Sequence, residues 1–219
     1  MASAARIKIW DAPTRLFHWS VVGLLGFSWW SAETHRMDWH QLSGLTLAGL
    51  VIFRLIWGVV GSSTARFAGF VKGPRAVWAY LRSGGHDAIG HNPLGALSVV
   101  ALLAVLAAQI GSGLLAVDID GIESGPLSYL VDFDQGRLAS DIHDVMFTIL
   151  QMLVILHIVA VLFYLVIRRR NLIAPMVIGS QAAEKAGTEP LVAAPVWKLA
   201  VAAIIAGMSA YALSRGFQF

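Results

Sequence analysis

The sequence predicts an all-α membrane protein, and both its composition and its long apolar runs lead to this prediction. Of the 219 residues, 57% are hydrophobic and 13% are charged, whereas soluble domains carry about 25% charged residues. The mean hydropathy is +0.69. Five apolar runs are each long enough to cross the roughly 30 Å hydrocarbon core of a bilayer as a helix. A helix satisfies its own backbone hydrogen bonds, which lipid cannot do.

The five predicted spans form a four-helix transmembrane bundle with an added fifth helix. The first span, at 15–31, follows basic residues and is not closed by a convincing cleavage site, so we expect it to act as an insertion signal that is retained. The other spans are predicted at 39–61, 93–117, 140–167 and 195–213. Residues 1–178 are expected to form one transmembrane domain, residues 179–194 a cytoplasmic linker, and residues 195–219 the fifth transmembrane helix and the C-terminus.

The distribution of charge predicts the orientation. Basic residues precede the first span, fill the connection after the second and follow the fourth, whereas the two remaining connections of the bundle are acidic. By the positive-inside rule the basic side is cytoplasmic, so the N-terminus is inside. The basic residues are Arg6, Lys8, Arg15, Arg66, Lys72, Arg75, Arg82 and Arg168 to Arg170. The acidic residues are Glu33, Asp38, Asp118, Asp120, Glu123, Asp132 and Asp134.

The basic connection after the second span also contains large apolar residues. These are Phe67, Phe70, Val71, Val77, Trp78, Tyr80 and Leu81. Apolar and basic residues interleaved in this way predict a segment that lies on the cytoplasmic membrane interface. A docking surface for a soluble partner is the alternative.

Two histidines in the fourth apolar run are the most informative residues of the chain. His143 and His157 are fourteen residues apart, which is roughly 21 Å along a helix and close to a whole number of turns. One helix therefore offers one imidazole near each side of the membrane. An ionisable side chain inside a membrane is costly and usually functional.

Two further histidines match these depths. His18 begins the first span on the cytoplasmic side, level with His157, and His40 begins the second span on the external side, level with His143. Two imidazoles at one depth on different helices suit axial ligation of a haem b, so the four histidines predict two haems. A proton relay, a pore group or a packing role remains open for each histidine, as does a metal or proton transporter. Because the chain has no cysteine, covalently attached haem and cysteine-ligated iron–sulfur clusters are excluded.

Arg54 and Gly44 are further candidate cofactor-binding residues. Arg54 lies fourteen residues after His40, on the same face at the inner depth, where a haem propionate would pair with it; snorkelling to the interface is the alternative. Gly44 lies one turn from His40 and leaves space for a porphyrin face. Gly23, Gly26, Gly111 and Gly113 are candidates for the same role. Close helix contact explains small residues equally well.

Together these motifs resemble the bacterial di-haem membrane cytochromes b of the cytochrome b561 and nickel–iron hydrogenase b-subunit superfamily. The resemblance covers roughly residues 6–178. The segments that carry it are WDAPTRLFHW at Trp10–Trp19, HQLSG at His40–Gly44, RLIWGVVG at Arg54–Gly61, GHNPLGAL at Gly90–Leu97, and the pair His143 and His157.

The resemblance implies ligands, partners and location. It implies that His18 and His157 bind the iron of the inner haem, and that His40 and His143 bind the iron of the outer one. It implies a protein of the bacterial inner membrane that passes electrons between the quinone pool and a redox partner, either a periplasmic cytochrome c or a hydrogenase. We expect an electron-transfer protein or an oxidoreductase subunit rather than a stand-alone enzyme, and no nucleic-acid partner.

Two other functions remain open: a superoxide:quinone oxidoreductase, and a membrane anchor subunit of a redox enzyme. The fifth span is typical of hydrogenase-type members, which argues against superoxide oxidation. Candidate residues for a quinone site on the cytoplasmic side are Arg15, His91 and Asn92. The acidic external connection, 117–141, would attract a basic redox partner, although an ordinary solvated loop has the same composition.

Overall fold

The computed structural model describes residues 6–82, 92–120, 122–182 and 191–217. Five long helices dominate the described chain. They are α1 (Ala12–Glu33), α2 (Met37–Val60), α5 (Pro93–Leu115), α6 (Phe133–Val166) and α8 (Val196–Ser214). The shorter elements are β1 (Arg6–Lys8), α3 (Phe67–Phe70), α4 (Pro74–Arg82), a 3₁₀ turn (Ser128–Leu130), α7 (Ile173–Ile178) and β2 (Ser180–Ala182). The predicted all-α membrane fold is confirmed.

Four of these long helices, α2, α5, α6 and α8, are long and apolar enough to cross a membrane, judged over the described residues. The predicted first span is also helical, since α1 has 22 residues. Its histidine, serine and tryptophan residues make it less apolar than the others, so its crossing of the bilayer remains a prediction.

Side-chain caps stand at the starts of α1, α5 and α6. The Asp11 carboxylate accepts the Thr14 backbone N–H at 2.9 Å, and the Asn92 side-chain Oδ1 accepts the Gly95 N–H at 2.7 Å. At the start of α6, Asp132 accepts the Gln135 N–H at 2.8 Å while the Gln135 side chain accepts the Asp132 N–H at 3.3 Å. This reciprocal pair is a capping box. It places the start of α6 seven residues before the predicted 140, in polar turns that hydropathy does not detect.

A three-residue connection joins α1 to α2, as the short gap between their histidines predicts. His35 has φ +53°, and its N–H bonds to the Ala32 carbonyl at 3.0 Å, while the Arg36 N–H reaches Ser31 at 2.8 Å. These two bonds form a Schellman motif, which ends one helix and lets the next begin at once. This connection is therefore very tight.

The chain divides into two compact units. Unit 1 comprises the described residues of Met1–Phe17, Arg54–Ala101 and Ile155–Val201. In it, β1 pairs antiparallel with β2, with Arg6 opposite Ala182, so the predicted linker at 179–194 begins with a strand. The Asp11 carboxylate of this unit also accepts hydrogen bonds from Trp57 Nε1 at 2.8 Å and from the Ser62 hydroxyl.

Unit 2 comprises the described residues of His18–Phe53, Leu102–Val154 and Ala202–Phe219. Its core is formed by Val51 of α2, Leu106 of α5 and Leu150 of α6, with Val21 and Leu25 of α1 packed against them. Here four helices bury one apolar centre.

The fifth long helix packs in unit 2 through its small residues. Ala202 and Ala206 of α8 are buried. A side chain at Gly49 of α2 would come within 3.1 Å of the Ala210 Cβ. Small residues allow two helix backbones to approach closely in a membrane, so Gly49 belongs to a helix contact.

Candidate functional site

The imidazoles of His40 and His143 lie together in unit 2, on α2 and α6. Their ring centres are 6.1 Å apart and their planes meet at 81°. Both residues are half-buried, whereas Ile142 and Asp144 beside His143 are exposed. The structure thus brings together the two histidines that the sequence pairs at the outer depth.

Backbone oxygens on neighbouring helices orient both rings. His40 Nδ1 donates to the Ser28 carbonyl oxygen of α1 at 2.9 Å, and His143 Nδ1 donates to the Gln109 carbonyl oxygen of α5 at 2.8 Å. Such a bond fixes the proton on Nδ1 and leaves the Nε2 lone pair as the metal-binding atom. Both rings therefore adopt the same tautomer, the one that binds metal through Nε2.

The separation of the two rings fits a single metal ion between them. A nitrogen ligand lies about 2 Å from a bound first-row metal ion, and an imidazole ring centre lies about 1 Å beyond its nitrogen. Two imidazoles on opposite sides of one ion thus have centres roughly 6 Å apart, in agreement with the observed 6.1 Å. The chemistry and the spacing of this pair fit an iron porphyrin.

Gln109 makes a second contact with His143. Its side-chain amide nitrogen lies 2.9 Å from His143 Nε2, and the residue is buried. An N–H donor there is consistent with the tautomer set by the Gln109 carbonyl. The amide must release Nε2 when that atom binds a metal.

The glycines near this pair have two different roles. Side chains at Gly44 or Gly111 would meet no protein atom within 4 Å, and both glycines are half-buried, so open space lies beside them. Gly113 agrees with the alternative of close helix contact, because a Cβ there would lie 2.7 Å from His143 Cε1 of α6. Gly113 makes room for the imidazole itself. Gly23 and Gly26 also border open space but are exposed.

The other two predicted ligands belong to different units. His18 lies in α1 within unit 2, and His157 lies in α6 within unit 1. Each is half-buried, and the neighbours of His157, Leu156 and Ile158, are exposed. The pairing of His18 with His157 stays a prediction from the sequence.

Arg54 is buried in unit 1, with 3% of its surface exposed. Its guanidinium lies 4.6 Å from the centre of the Phe67 ring. Gly58 provides the room for this ring, since a Cβ at Gly58 would overlap it. Among the described residues no hydrogen-bond acceptor reaches the buried Nη1 atom. A side chain so enclosed does not snorkel to water, and its unpaired donor suits an anionic ligand.

The residues considered for a quinone site have different surroundings. Arg15 of α1 donates to the Val177 carbonyl oxygen of α7. This bond joins the two helices and is a structural contact. Asn92 donates to the Tyr164 hydroxyl at 2.9 Å. His91, like His86, lies outside the described residues.

The sequence did not predict that tyrosines would join Asn92 in a polar cluster. The Tyr80 and Tyr164 hydroxyls lie 2.9 Å apart, so an amide and two phenols form one hydrogen-bonded cluster in unit 1. Burial, followed by the hydrogen bond with Tyr164, raises the pKa of Tyr80 to about 12. The Tyr80 hydroxyl is therefore a neutral donor at physiological pH. No sequence spacing links these residues, since they come from α4, the start of α5 and α6.

Residues 9–179 match the family described as prokaryotic cytochrome b561. The chain belongs to this family. No curated protein and no solved structure matches the chain significantly. The match covers α1 to α7 and ends before α8. Membership confirms the resemblance seen in the sequence: the protein is an integral membrane cytochrome that transfers electrons across the membrane through b-type haem.

Proposed function

We propose that this cytochrome conducts electrons across the bacterial inner membrane through two b haems, between the quinone pool and a redox partner. The observation that carries the proposal is the His40–His143 pair, 6.1 Å apart between ring centres, with both Nδ1 atoms committed to backbone oxygens. Bound haem supplies a one-electron carrier at each site.

At the outer site, His40 and His143 are the residues that would hold a haem iron through their Nε2 atoms. An iron held by two imidazoles would have no position free for oxygen, which favours electron transfer over oxygen binding. The backbone bonds from Ser28 and Gln109 hold the rings in place and raise their basicity as ligands. The open space beside Gly44 is proposed to receive the porphyrin face.

For the inner site, the proposed ligands are His18 and His157, whose positions along their predicted spans place them at the same depth in the membrane. Arg54 is proposed to pair with a propionate, because its guanidinium is buried and one of its donors has no acceptor among the described residues. A buried cation is stabilised by nearby anions; the Asp11 carboxylate already interacts electrostatically with this guanidinium, and the donor without an acceptor is the one proposed to take the propionate. The Phe67 ring at 4.6 Å shields the guanidinium on one face.

The cluster formed by Tyr80, Asn92 and Tyr164 is the proposed place for a quinone head group. Its amide and two hydroxyls can donate to a quinone carbonyl oxygen or accept from a quinol hydroxyl. The cluster lies in unit 1 with the basic segments, which the positive-inside rule assigns to the cytoplasmic side.

The proposed redox partner meets the acidic external connection. Asp120, Glu123, Asp132 and Asp134 are exposed, whereas Arg137 is turned back onto the Val117 carbonyl oxygen at 2.9 Å. A negative surface attracts a basic partner such as a periplasmic cytochrome c; a hydrogenase subunit is the other partner class. The same surface repels superoxide, so a superoxide:quinone oxidoreductase is the less favoured alternative.

Measurements on the purified protein distinguish these functions. The purified protein is expected to show a reduced b-type α-band, to contain two haems per chain and to be reduced by a quinol. One haem per chain would contradict the proposal of two sites, and a colourless protein would overturn the whole proposal. Haems that quinol and partner both fail to reduce would leave only the membrane-anchor function.

A further inference from the structure

The exposed face of α4 is both cationic and aromatic. Arg75, Trp78, Ala79 and Arg82 recur at the spacing i, i+3, i+4 and i+7, and all four are exposed. Trp78 exposes 59% of its surface, and the Arg82 guanidinium lies 4.9 Å from the centre of its ring. Residues at this spacing share one side of a helix. The helix therefore presents an arginine–tryptophan face to its surroundings.

The opposite face of α4 fixes the helix to the protein. Ala76, Val77 and Tyr80 are half-buried, and the Tyr80 hydroxyl bonds to that of Tyr164 at 2.9 Å. The Arg170 N–H in turn bonds to the Tyr164 carbonyl oxygen at 2.9 Å. The basic residues 168–170, which follow α6, therefore lie near α4, and the two segments form one cationic surface within unit 1.

Both chain segments of this surface lack acidic residues. Residues 62–82 contain Arg66, Lys72, Arg75 and Arg82 with no aspartate or glutamate, and residues 168–182 contain Arg168 to Arg170 with none. Each segment directly follows a predicted span. Clusters of four to eight basic residues beside a transmembrane helix attract anionic lipid head groups.

We propose that this surface, made of α4 and residues 168–170, binds anionic phospholipids of the adjacent leaflet. Exposed Trp78 enters the head-group region, where an indole ring is favoured, and Arg75 and Arg82 on the same face meet lipid phosphates. Lys72, exposed just before α4, adds a third cation. A bilayer fits better than a soluble partner, because this face carries a large apolar ring beside its charges and continues directly from a membrane span.

Arg36 and Trp30 provide a matched control. The Arg36 guanidinium lies 5.6 Å from the centre of the Trp30 ring, so the local geometry resembles that of Arg82 and Trp78. Arg36, however, is flanked by Glu33 and Asp38, which cancel its charge. Substitution of Arg36 should therefore leave lipid selection unchanged.

The test places the full-length protein in nanodiscs of equimolar phosphatidylcholine and phosphatidylglycerol, extracts it in mild detergent and counts the retained lipids by native mass spectrometry. The wild type and Arg36→Gln are expected to retain phosphatidylglycerol in preference. The triple variant Lys72→Gln, Arg75→Gln, Arg82→Gln should lose that preference by about tenfold or more. The haem spectrum of each variant reports whether it is folded, independently of its lipids.

Equal retention of phosphatidylglycerol by a haem-loaded triple variant and the wild type would overturn the proposal. If that variant kept its lipids but no longer exchanged electrons with a soluble partner, the surface would be a protein docking site. If the single variants Arg75→Gln and Arg82→Gln each lose part of the preference, the effect belongs to this face of α4. Lipid retention does not depend on the number of haems or on the redox partner, so this test is independent of the proposed function.

Discussion

The imidazole rings of His40 and His143 stand at 81° to each other, with their centres 6.1 Å apart. The angle is set by two carbonyl oxygens on different helices, Ser28 on α1 and Gln109 on α5. A low-spin ferric haem held by two nearly perpendicular imidazoles would give a strongly anisotropic electron paramagnetic resonance spectrum. The geometry of the pair therefore has a spectroscopic consequence as well as a chemical one.

Gly113 tests whether His143 must hold its present position. Replacement by alanine would put a Cβ 2.7 Å from His143 Cε1, so the ring has to shift. We expect Gly113→Ala to lose the outer haem and to keep the inner one, as measured by haem content per chain. Gly207→Ala is the control, because a Cβ at Gly207 meets no atom within 4 Å. Full haem content in Gly113→Ala would contradict the position assigned to His143.

Gln109 tests the tautomer of His143. A glutamate at this position would present an acceptor to Nε2 and so favour a proton on the atom that must bind iron. We expect Gln109→Glu to lower haem affinity at the outer site by roughly 10–100-fold, the usual effect of changing a group that orients a metal ligand. Haem titration of the haem-depleted protein measures this. Gln41→Glu, at an exposed glutamine that donates to the Ser124 carbonyl oxygen, should behave as the wild type.

The sequence predicted the fold well where hydropathy carries the information. All five long helices are present, and most of their ends fall within three residues of the prediction. The exceptions have physical reasons. The first turns of α6 are polar and begin with a capping box, which a hydropathy profile does not detect. The pairing of β1 with β2 joins two short polar segments from distant parts of the chain, and neither segment has a pattern of its own.

The sequence predicted the histidine side chains of the site but not the groups that orient them. His40 and His143 follow from depth along two helices, whereas their partners at Ser28 and Gln109 are backbone oxygens, which every residue has. For Gly113 a porphyrin face and a close helix contact both stayed open, because sequence alone does not show which neighbour a missing side chain accommodates. The surroundings of Arg54 likewise include the ring of Phe67, a residue of α3 that lies over the guanidinium. The sequence does not show this contact.

Arg54 tests the proposed propionate contact. Removal of a buried positive charge near a haem stabilises the ferric state, so Arg54→Gln should lower the midpoint potential of one haem. We expect a shift of about 60 mV, which corresponds to a tenfold change in the equilibrium constant of a one-electron couple. Redox titration followed optically measures both haems. Arg66→Gln, at an exposed arginine, is the control; unchanged potentials in Arg54→Gln would remove Arg54 from the site.

Tyr164 tests the proposed quinone site. Tyr164→Phe removes the hydroxyl that accepts from Asn92 and bonds to Tyr80. The rate of haem reduction by a quinol analogue should fall by at least about tenfold, since acid–base assistance from a positioned side chain is worth about 10²–10⁴-fold. The spectrum after chemical reduction should not change. Tyr211→Phe, at an exposed tyrosine of α8, provides the comparison, and equal rates in both variants would place the quinone elsewhere.

The most direct test is the haem content and low-temperature paramagnetic resonance spectrum of His40→Ala and His143→Ala, beside His35→Asn as an exposed control. Either alanine variant is predicted to lose one of two haems together with a strongly anisotropic low-spin signal, while His35→Asn keeps both. If His40→Ala and His143→Ala retain the haem content and the spectrum of the wild type, these two histidines do not share a haem.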